Sequence, residues 1–339
     1  MECEPPLMEV FKNLSKTNSE TGHLEHSNTS RLNCYELPVV DLGRLNSGQI
    51  LQQKECEKEI IEASREWGFF QVINHGVCEE MLVELQEEQV KLFRQPFNKK
   101  ASQNPSNSPT GFYRWGNLAA TSRAHFSWSE TFHIPVSSVS DFRDFNHLSS
   151  IVEEYTEVIS KLSQKISEIL ADNIGICKSS YKTLLADKVV PSSCYLRMNR
   201  YPPCPEFHSK VCGLVSHTDT SYLTIVHQGK TGGLQLQKDG AWICVTPNPD
   251  ALVINIGDLF QAWSNGLYKS VSHRVLTNRK SERFSVAYFS CPTTDTAIRC
   301  CSCSEPSIYR DFSFEEFKRQ VQIDVKYTGN KIGLPRFLK

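Results

Sequence analysis

His217 and Asp219 stand two residues apart, and His273 lies further along the chain in Ser270-Val-Ser-His-Arg-Val-Leu276. On a β-strand, residues i and i+2 point to the same face. His217 and Asp219 can therefore offer an imidazole and a carboxylate to one ion, with His273 as a third ligand from a later strand. Two imidazoles and one carboxylate leave half of an octahedron open. That arrangement suits an oxygen-activating Fe(II), which must also take a chelating co-substrate and O2. A structural zinc would more often close all four of its positions, frequently with cysteine. Each residue also has a plainer reading: a hydrogen-bonded histidine, a turn aspartate, a histidine half-buried on a strand. His-x-Asp alone occurs by chance, and it gains weight only from its neighbours in the same half of the chain.

One such neighbour is Arg283-Phe-Ser-Val-Ala-Tyr-Phe289. Strand alternation puts Arg283, Ser285 and Ala287 on one face and Phe284, Val286 and Tyr288 on the other. An arginine directed into a β-barrel needs a partner, because an unpaired buried charge is very costly. Its planar fork matches a carboxylate at two points. The partner is either an acidic residue of the chain or the carboxylate of a ligand. A second strand has a similar polar face, made of Tyr195, Arg197, Asn199 and Tyr201, before Tyr201-Pro-Pro-Cys-Pro205 ends it. That face lines a wet cavity or meets solvent.

These side chains need a scaffold. From Ser193 onward, the runs Tyr195–Tyr201, Tyr222–His227, Gly233–Gln237, Ala241–Val245, Leu252–Ile256, Ser270–Leu276 and Arg283–Phe289 predict strands, at the spacing of a sandwich or barrel. Upstream, Leu51–Trp67 and Met81–Phe93 have helical periodicity, and Phe69–Ile73 reads as a strand ended by Asn74-His75-Gly76. Ile151 to Ile174 is a long amphipathic helix whose stripe of Ile151, Tyr155, Val158, Leu162, Ile166 and Ile169 is core packing. A short helix is expected at Phe314–Arg319. Residues 101–150 read as irregular, with Phe112, Tyr113, Trp115, Phe126, Trp128 and Phe132 interleaved with proline and glycine. They form either a binding segment or an anchored surface loop. The expected organisation is a polar, loosely ordered tail (1–33), an N-terminal lobe (34–150), a linking helical segment (151–192), a β core (193–295) and a C-terminal extension (296–339).

Composition narrows the class. The 339 residues are 39% hydrophobic and 22% charged, with a formal net charge of −1. This is ordinary for a globular protein and gives no global electrostatic reason for nucleic acid or an anionic membrane as a partner. No stretch approaches the ~20 apolar residues of a membrane helix. Thirteen cysteines, an odd number, together with a polar, charged beginning, point to a reducing compartment and a cytoplasmic location. Cys300, Cys301 and Cys303 lack a second Cys/His pair at zinc-finger spacing and read as ordinary thiols.

Taken together, the motifs resemble the plant 2-oxoglutarate- and Fe(II)-dependent dioxygenases over most of the chain, from about Leu37 onward. They are Trp67-Gly-Phe-Phe-Gln-Val-Ile-Asn-His-Gly76, Asn199-Arg-Tyr-Pro-Pro-Cys204, His217-Thr-Asp219, Ser272-His-Arg274 and Arg283-Phe-Ser285. The resemblance implies a mixed α+β fold, with a double-stranded β-helix (jelly roll) core and flanking helices. It implies Fe(II) on His217, Asp219 and His273, and the far carboxylate of 2-oxoglutarate on Arg283 and Ser285, with Tyr201 and Asn199 supporting the co-substrate. His75 is read as structural. The implied reaction consumes O2, releases succinate and CO2, hydroxylates a small molecule and uses ascorbate as reductant. Within the family, Phe126-Ser-Trp-Ser-Glu-Thr-Phe-His-Ile-Pro135 looks like the gibberellin 2-oxidases that act on twenty-carbon precursors. Oxidases that make the hormone usually carry Leu-Pro-Trp-Lys-Glu-Thr here. The implied activity is therefore gibberellin 2-hydroxylation. Trp115, Phe126, Trp128 and Phe132 are candidates for the apolar pocket, and Arg123 or Arg114 for the substrate carboxylate. The alternatives are the same chemistry on another metabolite such as a flavonoid, or a non-catalytic sensor of a small acid or metal. Oligomeric state is not readable from the sequence.

Overall fold

The computed structural model describes residues 3–17, 34–104, 111–117, 120, 122–141, 146–175, 188–301 and 306–339. The first half contains α1 (Leu7–Thr17), β1 (Cys34–Tyr35), β2 (Val39–Asp41), α2 (Ile50–Glu66), β3 (Phe69–Ile73), α3 (Glu79–Phe93) and α4 (Phe97–Ser102). β4 (Tyr113–Trp115), β5 (Glu130–Pro135) and the long α5 (Asn146–Asn173) follow. The β-rich half has β6 (Tyr195–Tyr201), β7 (Cys212–His217), β8 (Leu223–His227), β9 (Leu234–Lys238), β10 (Ala241–Val245) and β11 (Leu252–Ile256). A short α6 (Asp258–Trp263) precedes β12 (His273–Leu276) and β13 (Arg283–Ser290). The chain ends with β14 (Ala297–Ile298), β15 (Phe312–Ser313) and α7 (Phe314–Thr328).

The strands pair into a large sheet of order β2-β3-β11-β8-β13-β6-β5-β4 and a smaller one of order β1-β10-β9-β12-β7. β14 and β15 pair separately. The pairings β11–β8, β12–β9, β13–β6 and β13–β8 are antiparallel and join strands that are not consecutive in the chain. The outer face of the large sheet is apolar: Leu196, Met198, Ile225, Ile254, Val286 and Tyr288 are buried there. The stripe of α5, with Tyr155, Ile159, Ile166 and Leu170, belongs to this core, as do Ile60 of α2 and Leu85 and Leu92 of α3. Each fully buried aliphatic or aromatic side chain of this layer contributes roughly 1.5–3 kcal/mol. The inner faces of the two sheets enclose a cavity. This is the double-stranded β-helix with flanking helices.

Several elements depart from the sequence reading. Residues 3–17 are not a loose tail: Leu7 and Phe11 are buried, and Phe11 packs on Phe126, Trp128 and Phe207 at ring separations of 6.0, 6.3 and 4.9 Å. The rest of that tail (18–33), part of the linking segment (176–187) and Cys303 lie outside the described residues. The irregular segment holds two sheet strands, β4 and β5. α7 runs well past Arg319: Ser313 Oγ caps it by accepting from the Glu316 N–H at 3.0 Å, and Gly329 ends it at a φ of 75°. Among the described residues, no helix is long and apolar enough to cross a membrane.

Candidate metal centre and co-substrate pocket

β7 and β12 are neighbours in the smaller sheet, and their register sets His217 opposite His273. β7 ends at His217, so Asp219 sits in the loop just beyond the strand rather than on it. The i, i+2 spacing still brings its carboxylate alongside. Asp219 Oδ1 is 3.6 Å from His217 Nε2 and 3.8 Å from His273 Nε2, and one ligand atom from each residue lies within 4.8 Å of the others. His217 Nδ1 donates to the Val215 carbonyl at 2.8 Å and His273 Nδ1 to that of Val271 at 3.1 Å. These bonds place the ring protons on Nδ1 and turn both Nε2 lone pairs toward Asp219. Burial and the neighbouring His273 hold the His217 imidazole well below its usual range. Burial pushes the Asp219 carboxyl up, but His273, His217 and the amide of Asn255 outweigh it and keep it ionised. A His217 imidazole disfavoured as a cation, beside an ionised Asp219 carboxylate, offers the lone pairs that a divalent metal requires, and with His273 this donor set fits Fe(II).

The loop carrying Asp219 is held from two sides. Asn255 Nδ2 on β11 donates to Asp219 Oδ2 at 2.8 Å. Lys331, downstream of α7, donates to the Thr218 carbonyl at 2.7 Å and pairs with Asp258 at 2.6 Å, while Thr218 Oγ1 donates to Asp258 at 3.1 Å. Neither Asn255 nor Lys331 is a candidate from the motifs. Asn255 has a sequence signal, since it is the polar residue in the apolar run Leu252-Val-Ile-Asn-Ile256. Lys331 has none.

The facing wall comes from β6 and β13, whose register pairs Arg283 with Tyr201, Ser285 with Asn199 and Ala287 with Arg197. All six line the cavity that also holds His217, Asp219 and His273. Arg283 is 3% exposed; its Nη2 makes a weak hydrogen bond to Gln228 Oε1 at 3.3 Å, and the Tyr201 side chain is a second polar neighbour. Arg283 Nε and Nη1 are buried with no partner among the described residues, and the Tyr201 ring lies 5.1 Å from the guanidinium. Burial depresses the Arg283 pKa without threatening its charge. A buried guanidinium with unfilled donors, aimed into a cavity, calls for an anion. Asn199 Nδ2 donates to Ser285 Oγ at 3.3 Å and Asn199 Oδ1 accepts from Thr131 at 2.9 Å, forming a polar strip beside it. Gln89 of α3 fixes both strands from outside by donating to the carbonyls of Asn199 and Ser285 at 3.2 and 2.9 Å. His75 lies apart; its Nδ1 accepts from the Val77 N–H at 3.2 Å.

The substrate end differs from the expectation in its details. Phe126, Trp128 and Phe132 are buried in the protein interior and do not line the cavity; Trp115 does. Alternation through Phe126–Phe132 turns the aromatics into the packing and presents Ser127, Ser129 and Thr131 to the cavity. Arg123 lies outside the lining, whereas Arg114 belongs to it. Arg197 is a further lining residue, with its Nε buried and lacking a hydrogen-bond partner among the described residues. Its guanidinium lies over Tyr195 and Phe289 at 5.4 and 5.1 Å. Burial, and then Arg197, pull Arg114 down to about 9, the mark of two cations sharing a desolvated corner.

Comparison with known proteins agrees with this geometry. The model of the 2OG-Fe(II) oxygenase superfamily matches residues 192–292, and that of the non-haem dioxygenase in morphine synthesis N-terminal region matches residues 37–151. Gibberellin 2-beta-dioxygenase 8 of Arabidopsis thaliana is 49% identical, over 99% of this chain and 98% of its own. Gibberellin 2-beta-dioxygenase 6 of Oryza sativa subsp. japonica is 46% identical, over 90% and 85%. The crystal structure of JOX2 in complex with 2OG, Fe and JA superposes with a TM-score of 0.74 at 29% identity, covering 96% of this chain and 97% of that one. With this donor set, this fold and these relatives, the chain belongs to the 2OG-Fe(II) oxygenase superfamily and is an Fe(II)- and 2-oxoglutarate-dependent dioxygenase.

Proposed function

We propose that this dioxygenase hydroxylates gibberellins at carbon 2, preferring twenty-carbon precursors, and so inactivates the hormone pathway's intermediates. The observation that carries this reading is the near full-length identity to gibberellin 2-beta-dioxygenases. The cavity supports it. Beyond the His217–Asp219–His273 centre its wall is largely apolar, through Phe69, Trp115, Leu214, Val275 and Phe289, and it contains the cations Arg114 and Arg197. A rigid hydrocarbon acid needs that combination of apolar surface and a positive partner for its carboxylate.

In this reading His217, Asp219 and His273 hold Fe(II). Arg283 and Ser285 take the far carboxylate of 2-oxoglutarate, and Tyr201 and Asn199 flank it. When bound, the iron and 2-oxoglutarate supply the oxidising chemistry, in which O2 is consumed and succinate and CO2 are released. The protein's own part is aim and shelter. Arg283 neutralises the co-substrate charge in a dry pocket. The apolar wall excludes water from the reacting centre. Arg197, with Arg114 beside it, meets the substrate acid and fixes which carbon faces the metal. Ascorbate serves as external reductant. The proposed location is the cytoplasm, on the thiol-rich composition described above.

The test is a substrate panel. Purified protein with Fe(II), ascorbate and 2-oxoglutarate is incubated with nineteen-carbon gibberellins, twenty-carbon gibberellins and flavonoids, and products are identified by mass spectrometry. Hydroxylation of the twenty-carbon set at carbon 2 is expected. Turnover of a flavonoid alone would sink the substrate assignment and leave the dioxygenase standing. Oxidation at carbon 20 would move the enzyme from hormone inactivation to synthesis.

A further inference from the structure

Behind the co-substrate pocket lies a cluster of charges that the reaction does not use. Glu130 of β5 and Arg200 of β6 are cross-strand neighbours joined at 2.6 Å, and both are buried. Glu130 also binds Lys100, fully buried, at 2.5 Å and accepts from the Tyr113 hydroxyl at 2.6 Å. Lys100 donates in addition to the carbonyls of Phe93 and Cys3, at 2.8 and 2.9 Å. Arg200 reaches Glu282 at 3.0 Å, and Glu282 pairs with Arg94. The last member is Glu4, whose Oε1 sits 2.6 Å from Arg200 Nη2. Among the described residues, three cations thus meet three carboxylates, and one of the carboxylates comes from the segment that precedes α1.

The strand period gives this cluster a meaning. Glu130 precedes Thr131, Arg200 stands between Asn199 and Tyr201, and Glu282 precedes Arg283. Thr131, Asn199, Tyr201 and Arg283 all line the cavity. Successive side chains on a strand point to opposite faces, so the cluster is the reverse side of the 2-oxoglutarate wall. A shift of Arg200 is transmitted to Asn199 and Tyr201 through one peptide each.

We infer that Glu4 is a positioning residue for 2-oxoglutarate: it completes the charge balance of the cluster and so holds β6 and the start of β13 at the spacing that the co-substrate requires. Without Glu4 the cluster, buried at Arg200, Glu130 and Lys100 and open to solvent at Arg94, carries one excess positive charge. Arg200 then draws harder on Glu130 and Glu282 and moves the strand ends that carry the pocket. Burial already pushes the Lys100 ammonium below its usual range, so the cluster tolerates added positive charge poorly. Residues 3–17 are thereby a working part of the co-substrate site. This inference rests on the placement of 2-oxoglutarate against Arg283.

The test uses the full chain loaded with Mn(II) as a redox-inert stand-in for Fe(II), with 2-oxoglutarate affinity measured by calorimetry without O2. The variants are Glu4→Gln, Glu4→Asp and, as a control in the same segment, Lys12→Gln, which removes the exposed Lys12–Glu206 pair at 3.6 Å. Glu4→Gln should weaken 2-oxoglutarate binding about two- to fivefold, the range open to an incompletely buried ion pair, and leave Mn(II) affinity unchanged. Glu4→Asp should recover most of the loss, and Lys12→Gln should match the parent protein. Parent-like 2-oxoglutarate affinity in Glu4→Gln would overturn the inference, as would a loss of Mn(II) and 2-oxoglutarate binding in step with a falling Tm. Failure of the parent protein itself to bind 2-oxoglutarate would instead overturn the pocket assignment on which the inference stands.

Discussion

Replacing His217 or Asp219 with alanine is expected to abolish Fe(II) binding and turnover while the fold persists. The two Nε2 atoms and Asp219 Oδ1 converge from β7, β12 and the loop after β7, and the loss of one of three ligands leaves a pair too weak to retain the ion in dilute buffer. The sheets do not depend on that ion, since the apolar cores lie elsewhere. The two variants should differ in stability. Asp219→Ala leaves the buried Asn255 amide without its acceptor, a cost of about 1–3 kcal/mol, whereas His217→Ala takes a donor only from the carbonyl of the partly exposed Val215. Metal titration paired with thermal unfolding measures both effects. Full activity with iron retained in either variant would refute the metal assignment.

Arg283→Gln is expected to raise the 2-oxoglutarate KM steeply, with a much smaller change in the gibberellin KM. The guanidinium is almost fully buried, with Nε and Nη1 unfilled among the described residues and Gln228 and Tyr201 as its neighbours. A carboxylate entering the cavity would fill those donors. Truncating one partner of a buried charge pair costs about 2–5 kcal/mol, and each 1.4 kcal/mol is roughly a tenfold change in affinity. Steady-state kinetics with 2-oxoglutarate and substrate varied separately gives the split. An unchanged 2-oxoglutarate KM would mean that Arg283 serves the protein interior.

How far these features could be read from the sequence depended on the range of the interaction. Strand alternation puts Arg283, Ser285 and Ala287 on one face and Tyr195, Arg197, Asn199 and Tyr201 on another, and all of these except Tyr195 line the cavity. The same alternation runs through Phe126-Ser-Trp-Ser-Glu-Thr-Phe132, but reading that stretch as irregular made its aromatics look available for substrate. As a strand and its approach, it shows Ser127, Ser129 and Thr131 to the cavity instead. The short apolar spacing of Leu7 and Phe11 was outweighed by the polar residues after it, so α1 read as tail; its burial depends on Phe126, Trp128 and Phe207, which are distant in sequence. Lys331 and Glu4 act across 113 and 196 residues, and no local pattern encodes such pairings. Asn255, by contrast, stands out as one amide in an apolar strand.

Isotopically labelled O2 gives the sharpest test of a gibberellin 2-hydroxylase built on the His217–Asp219–His273 centre and the Arg283 pocket. The protein is incubated with Fe(II), ascorbate, 2-oxoglutarate and a twenty-carbon gibberellin under labelled O2, and both products are analysed by mass spectrometry. The expected outcome is one labelled oxygen in succinate and one in a new hydroxyl at carbon 2, formed in equal amounts. Succinate without a labelled gibberellin hydroxyl, or label at another carbon, would contradict the account.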